Sequence, residues 1–127
     1  MNTCPLLLHN VNAGFPSPAE DFIEAQLNLH EHMVKKPCST FFLRVGGNSM
    51  TGAGIYPNDI LVVDRSLEAR NRDLVVALIE GCFTLKQLQL NSSGEHRLLA
   101  ANPAYKPIEN SELEIWGVVT GVARRYK

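Results

Sequence analysis

"LVVALIEGCFTLKQLQL", residues 74–90, decides the fold. Its first part is an apolar run rich in β-branched residues, its second part alternates, and Glu80-Gly81 stands between them. Two such runs across a short glycine turn predict a β-hairpin. In the second strand successive side chains face opposite sides. One side carries Phe83, Leu85, Gln87 and Gln89; the other carries Thr84, Lys86, Leu88 and Leu90. A solvent-facing lysine belongs with the glutamines, but Lys86 shares its side with two leucines.

Outward from the hairpin the chain stays β. "TFFLRV" (40–45), "DILVVD" (59–64), "RLLAAN" (97–102) and "EIWGVVTGVARRY" (114–126) read as further strands, with turns such as "NSSGEH" (91–96) between them. Six or so short strands predict a mainly β, compact, partly rolled β-domain. Residues 1–20 read as irregular. The prolines of "NAGFPSPAED" (12–21) favour an extended N-terminal arm. Ser17 as N-cap, Pro18 at the first helical position and Glu20 and Asp21 in the first turn predict one short helix over 18–26. Lys35 and Lys36 precede Pro37, where helical pattern stops. The division expected is an arm with the helix over 1–38 and a β-rich domain over 39–127.

With 127 residues, one domain is the default and a real core can be buried without staples. Twelve basic against thirteen acidic residues, a formal net charge of -1, argue against phosphate-backbone binding. The basic cluster Arg124, Arg125 and Lys127 reads as a solvated tail. Cys4, Cys38 and Cys82 have no metal-ligand spacing and read as reduced thiols of a cytoplasmic protein, Cys82 as a small hydrophobe. "MNTCPLLLHN" lacks the basic region of a signal peptide, and no run approaches the ~20 apolar residues of a membrane span.

Between two β segments lies "VGGNSMTGAGI", residues 45–55. Ser49, between glycine-rich turns, reads by itself as a turn serine satisfying backbone groups. A nucleophile needs a base, and His9, His30, His32 and His96 stand in arm, helix or polar turn. Lys86 is the unusual candidate. It reads either as a snorkelling lysine with its head in water or as a general base. For the second role its pKa has to drop from about 10.4 to about 7, a destabilisation of the ammonium by roughly 4 kcal/mol. Burial against apolar side chains supplies effects of that size, and Ser-Lys is an attested nucleophile–base pair. The "HEH" of His30–His32 lacks an evident third metal ligand. Asp59 and Asp64 flank the "ILVV" strand and read as turn residues; Trp116 reads as core or interface.

"GGNSMTGAGIYPNDILVVDRS" (46–66) followed by "GCFTLKQLQL" (81–90) resembles the serine–lysine self-cleaving peptidase domain shared by LexA, phage repressors and UmuD. "NAGFPSPAEDFIEAQLNL", "ANPAYKPI" and "WGVV" are similar to the UmuD branch of that family. The resemblance runs from Gly14 onward and implies a fold of the LexA/signal-peptidase type. It implies Ser49 as nucleophile and Lys86 as base. Backbone N–H groups at Asn48 and Ser49 are the candidates for the oxyanion hole. The bond cut in the family precedes the glycine of the Gly-Phe-Pro segment, here Ala13–Gly14, an Ala-Gly pair as in LexA where UmuD has cysteine. The arm before that bond has no room for a helix-turn-helix, so operator binding is not implied.

The same resemblance implies an SOS-response mutagenesis protein. A RecA filament on single-stranded DNA would stimulate self-cleavage. The shortened form, a homodimer, would assist a translesion DNA polymerase catalytic subunit. No cofactor, metal, membrane or sequence-specific DNA contact is expected. Two other readings use the same residues: a non-catalytic dimeric binding module regulating a polymerase or RecA, and a processing peptidase acting on other proteins.

Overall fold

The structure, a computed structural model, describes residues 2–7, 23–101 and 113–127. Ala13, Gly14, the first half of the expected helix and most of "ANPAYKPI" lie outside the described residues. The chain divides into two compact units, Met1–Lys35 and Lys36–Lys127.

In the first unit β1 (Cys4–Leu7) pairs antiparallel with β2 (Ile23–Leu27), Cys4 opposite Leu27. This corrects two expectations. Cys4–Leu7, read as irregular, is a strand, and residues 23–26, read as helix, belong to one. Glu24, Ala25 and Gln26 are good helix formers, but a non-local partner overrides that preference. A short helix, α1, does follow at Leu29–Met33. Asn28 caps it, its side-chain oxygen accepting the Glu31 N–H at 3.0 Å.

In the second unit one antiparallel sheet has the order β3 (Thr40–Arg44), β4 (Ile60–Asp64), β8 (Glu114–Ala123), β5 (Leu74–Ile79), β6 (Cys82–Leu90), β7 (His96–Leu99). The β5–β6 hairpin closes where the sequence set it, with Ile79 paired to Cys82. Glu80 and Gly81 both take positive φ, 51° and 79°, the backbone that matches a two-residue turn to strand twist. His96, read as part of a polar turn, opens β7. Cys82, read as a small hydrophobe, is exposed, as are Cys4 and Cys38; all three are free thiols.

The mainly β, partly rolled architecture has a visible cause in β8. Its pairing skips Thr120 against β4 and Trp116 against β5. Each bulge bends the strand and adds twist. The bend draws the two flanks together over Trp116. Phe41 of β3 and Phe83 of β6 approach its ring to 5.3 and 4.9 Å between centroids. The core forms two clusters. One gathers Val45, Met50, Ile55, Leu61, Val63 and Val76; the other gathers Val75, Ala77, Leu88, Leu98 and Val118. Met50, next to Ser49, is buried in the first, which anchors the serine's loop to the core.

Candidate active site

Ser49 lies in the connection between β3 and β4. Val45 leads into that connection and is tied to its far end: its N–H donates to Asp59 O at 2.8 Å, and Asn58 N–H donates to its carbonyl at 2.9 Å. A 3-10 turn over Thr51–Ala53 follows the serine. The Ala53 and Ile55 N–H groups both donate to Met50 O, at 3.0 and 3.2 Å. The side chain of Met50 points inward, and its sulfur accepts the Ala101 N–H at 3.4 Å. A Cβ on Gly52 would run into Ala101 O, so a glycine is required where the turn meets Ala101, two residues past β7. Side chains at Gly46 and Gly47 would project into open space instead. Gly47, at φ 78°, also takes a backbone that other residues resist.

Lys86 reaches the same place from β6. It pairs with Val75 of β5, which is fully buried, and shares its side of the strand with buried Leu88. The lysine itself is 7% exposed, so the leucine side of the strand is the buried one. Lys86 Nζ donates to Ser49 Oγ at 2.9 Å and to Leu85 O at 3.0 Å. Burial holds its pKa below the ordinary lysine value, because desolvation disfavours the ammonium. At 2.9 Å either partner can donate. The ammonium donates to Oγ; the neutral amine presents a lone pair to the serine O–H, the arrangement a base needs.

The two residues open onto a cleft of about 130 Å³ lined by Gly46, Gly47, Ser49, Thr84, Leu85 and Lys86 among others. A second cleft, about 120 Å³, shares Val45, Gly46, Phe83, Thr84 and Leu85 with it and extends to Leu43 and Arg44. Together they make a groove between the end of β3 and the start of β6. A larger cavity, about 350 Å³, lies at the β6–β7 turn and contains neither Ser49 nor Lys86.

Of the other residues singled out, His30 and His32 stand on α1. Among the described residues no group of three or more His, Cys, Asp or Glu is placed to hold a metal, and no helix is long and apolar enough to cross a membrane. Asp64 accepts from Ser39 Oγ, Ser66 N and Ser66 Oγ at 2.8, 2.8 and 2.7 Å, and these bonds hold its pKa down. Asp59 serves its turn by accepting the Tyr56 N–H at 2.8 Å, as expected. It also takes two hydrogen bonds from Arg124, both 2.6 Å. Arg124 is therefore no solvated tail. Its partner stands 65 residues away, beyond the reach of any local pattern.

Comparison with known proteins shows the family. The Peptidase S24-like family profile matches residues 5–120. Protein SamA of Salmonella typhimurium is 42% identical over 119 residues, 94% of this chain and 84% of its own length. Protein MucA of Escherichia coli is 41% identical over 131 residues, with the same 94% and 84% shares. A LexA repressor of Carboxydothermus hydrogenoformans is 38% identical over 122 residues, 94% of this chain but 59% of the repressor.

Proposed function

The chain belongs to the Peptidase S24-like family and is UmuD-like, and we propose that it is a cytoplasmic SOS-mutagenesis protein that cuts its own arm between Ala13 and Gly14. The observation that supports this most directly is the 2.9 Å approach of Lys86 Nζ to Ser49 Oγ beside a groove, with the lysine buried.

The chemistry is acyl transfer. Neutral Lys86 takes the Ser49 hydroxyl proton as Oγ attacks the Ala13 carbonyl carbon. The oxyanion is met by backbone N–H groups of the glycine-rich loop, with Asn48 and Ser49 the candidates. The Ala13–Gly14 C–N bond breaks, and the lysine ammonium returns its proton to the amine that becomes the new N-terminus at Gly14. Water, deprotonated by the same lysine, then hydrolyses the Ser49–Ala13 ester. Tethering supplies the substrate at high effective concentration, so the rate is governed by how often the arm enters the groove. A RecA filament on single-stranded DNA raises that population, and the shortened homodimer assists the catalytic subunit of a translesion polymerase.

The test is mass spectrometry of the purified full chain incubated with RecA, single-stranded DNA and nucleotide, or by itself at alkaline pH. A fragment beginning at Gly14 is expected, and neither Ser49→Ala nor Lys86→Ala should yield it. Cleavage surviving in either variant overturns the pair. A full chain that stays intact under both conditions leaves the binding-module reading.

A further inference from the structure

The loop that carries Ser49 is held on its exit side by one side chain from far along the sequence, and on its entry side by the residue that side chain grips. Arg124 directly follows β8. Its Nη2 donates to Gly54 O at 2.7 Å, on the exit side of the serine's turn. Its Nε and Nη2 also donate to the two carboxylate oxygens of Asp59, 2.6 Å each. Asp59 is 1% exposed, and its own carbonyl holds the N–H of Val45, on the entry side of the loop. Ile55, next to Gly54, holds Met50 O. Both ends of the stretch from Val45 to Ile55 thus converge on one guanidinium. The Tyr56 ring covers a face of it, 4.6 Å from Cζ.

This use suits arginine in particular. Its planar fork can satisfy a carboxylate with two parallel bonds and still keep a donor for a carbonyl, whereas a lysine offers a compact point charge. Nothing in the arrangement touches the Ser49 hydroxyl. What it constrains is the backbone on either side, and a displacement of the nucleophile by about 1 Å can cost ~100-fold in rate.

We propose that Arg124, anchored by Asp59, is a positioning residue for Ser49, setting where its Oγ lies relative to Lys86 Nζ while taking no part in proton transfer. The proposal rests on the self-cleavage reading for its rate assay. A second assay is therefore independent of cleavage: labelling of Ser49 by a fluorophosphonate probe.

The experiment uses the full chain and the variants Arg124→Ala, Arg124→Lys and Arg125→Ala, each first shown by circular dichroism to be folded at the assay temperature. Alkaline self-cleavage is followed across pH beside probe labelling. For Arg124→Ala the plateau rate and the labelling rate should each fall about 10- to 100-fold. The midpoint of the pH profile should stay where it is, because burial on β6 governs the Lys86 proton. Millimolar guanidinium ion should restore part of the loss. Arg124→Lys should show a smaller loss of the same kind, which keeps the test open if the alanine variant does not fold. Arg125→Ala should match the unaltered chain. A folded Arg124 variant that cleaves and labels at the normal rate overturns the proposal, as does a midpoint that moves with the plateau. If the unaltered chain does not cut itself while Arg124→Ala still slows labelling, the cleavage reading falls and the positioning role stands.

Discussion

Lys86 Nζ and Ser49 Oγ meet at 2.9 Å although β6 and the β3–β4 connection that carry them belong to strands with no pairing between them. Three strands lie between β3 and β6 in the sheet order, β4, β8 and β5, and the contact exists because that sheet rolls. The proximity depends on curvature, and the proton affinity depends on burial, so the two can be perturbed separately.

The first prediction concerns rate and pH. Lys86 must be neutral to accept the serine proton, and burial already lowers its pKa. Self-cleavage should rise with pH and level off with a midpoint below the ordinary lysine value of about 10.4. Lys86→Arg, permanently charged, should lose about 100-fold or more of the rate. Initial rates of fragment release across the pH range would read this. A midpoint at or above the ordinary value would remove burial as the source of the base.

The same burial has a cost in stability, with a definite sign. The unfolded lysine keeps its proton to about pH 10.4, whereas the folded one loses it earlier. Between those two pH values the unfolded chain holds more protons, so stability climbs with pH; below the folded pKa the penalty is full. Lys86→Met should therefore raise the urea midpoint at pH 7, and the gain should shrink as pH approaches 10.5. Parallel urea titrations at the two pH values check it.

Two glycines of the same loop should behave oppositely. Gly52→Ala drives a Cβ into Ala101 O, both backbone-bound, and should cost about 1–3 kcal/mol while slowing cleavage through the displaced turn. Gly46→Ala meets nothing and should stay within about 0.5 kcal/mol. Its effect on cleavage then reports what the groove admits. Chemical denaturation beside the cleavage assay separates the two.

Gly117 tests the roll of the sheet. A Cβ there falls 2.6 Å from Val63 Cγ1, and Val63 has no exposed surface. Gly117→Ala should destabilise by about 1–3 kcal/mol. Val63→Ala removes the opposing methyl, so the double variant should be more stable than the sum of the two single effects implies. Additivity in that cycle would place the clash elsewhere.

Asp59 carries an acid signature. Its pKa is lowered from 3.8 to about 2, chiefly by the Arg124 hydrogen bonds. That contribution to stability is complete above the unfolded value and is lost as pH falls from about 4 to about 2. Asp59→Asn should be less stable at pH 7 and should flatten the fall in thermal midpoint across that acid window. An unchanged slope would assign the window to other carboxylates.

Much of this was legible in the chain because it is written in short-range pattern. The β5–β6 hairpin follows from two apolar runs and Glu80-Gly81, and the side of β6 that Lys86 occupies follows from a period of two. The Ser49 loop announced itself by its glycines. What escaped reading is what depends on a distant partner. Ile23–Leu27 is a strand because Cys4–Leu7 lies beside it, despite helix-forming residues within it. Arg124 looked like a tail because Asp59 is far away in sequence. The bulges at Trp116 and Thr120 are invisible in β8 taken singly, since a skipped residue exists only relative to the strand that skips it. The nearest hint was Gly117 in "WGVVTGVA", where a Cβ would run into Val63.

The position of β8 in the sheet also sets a clock. Among the described strands it is the last to leave the ribosome, yet it is the one that joins β4 to β5. Until it arrives, the hairpin of β3 and β4 and the meander of β5, β6 and β7 have no strand between them. Ser49 belongs to the first piece and Lys86 to the second. A nascent chain can therefore carry both residues, and its own arm, well before it owns a sheet that brings them together.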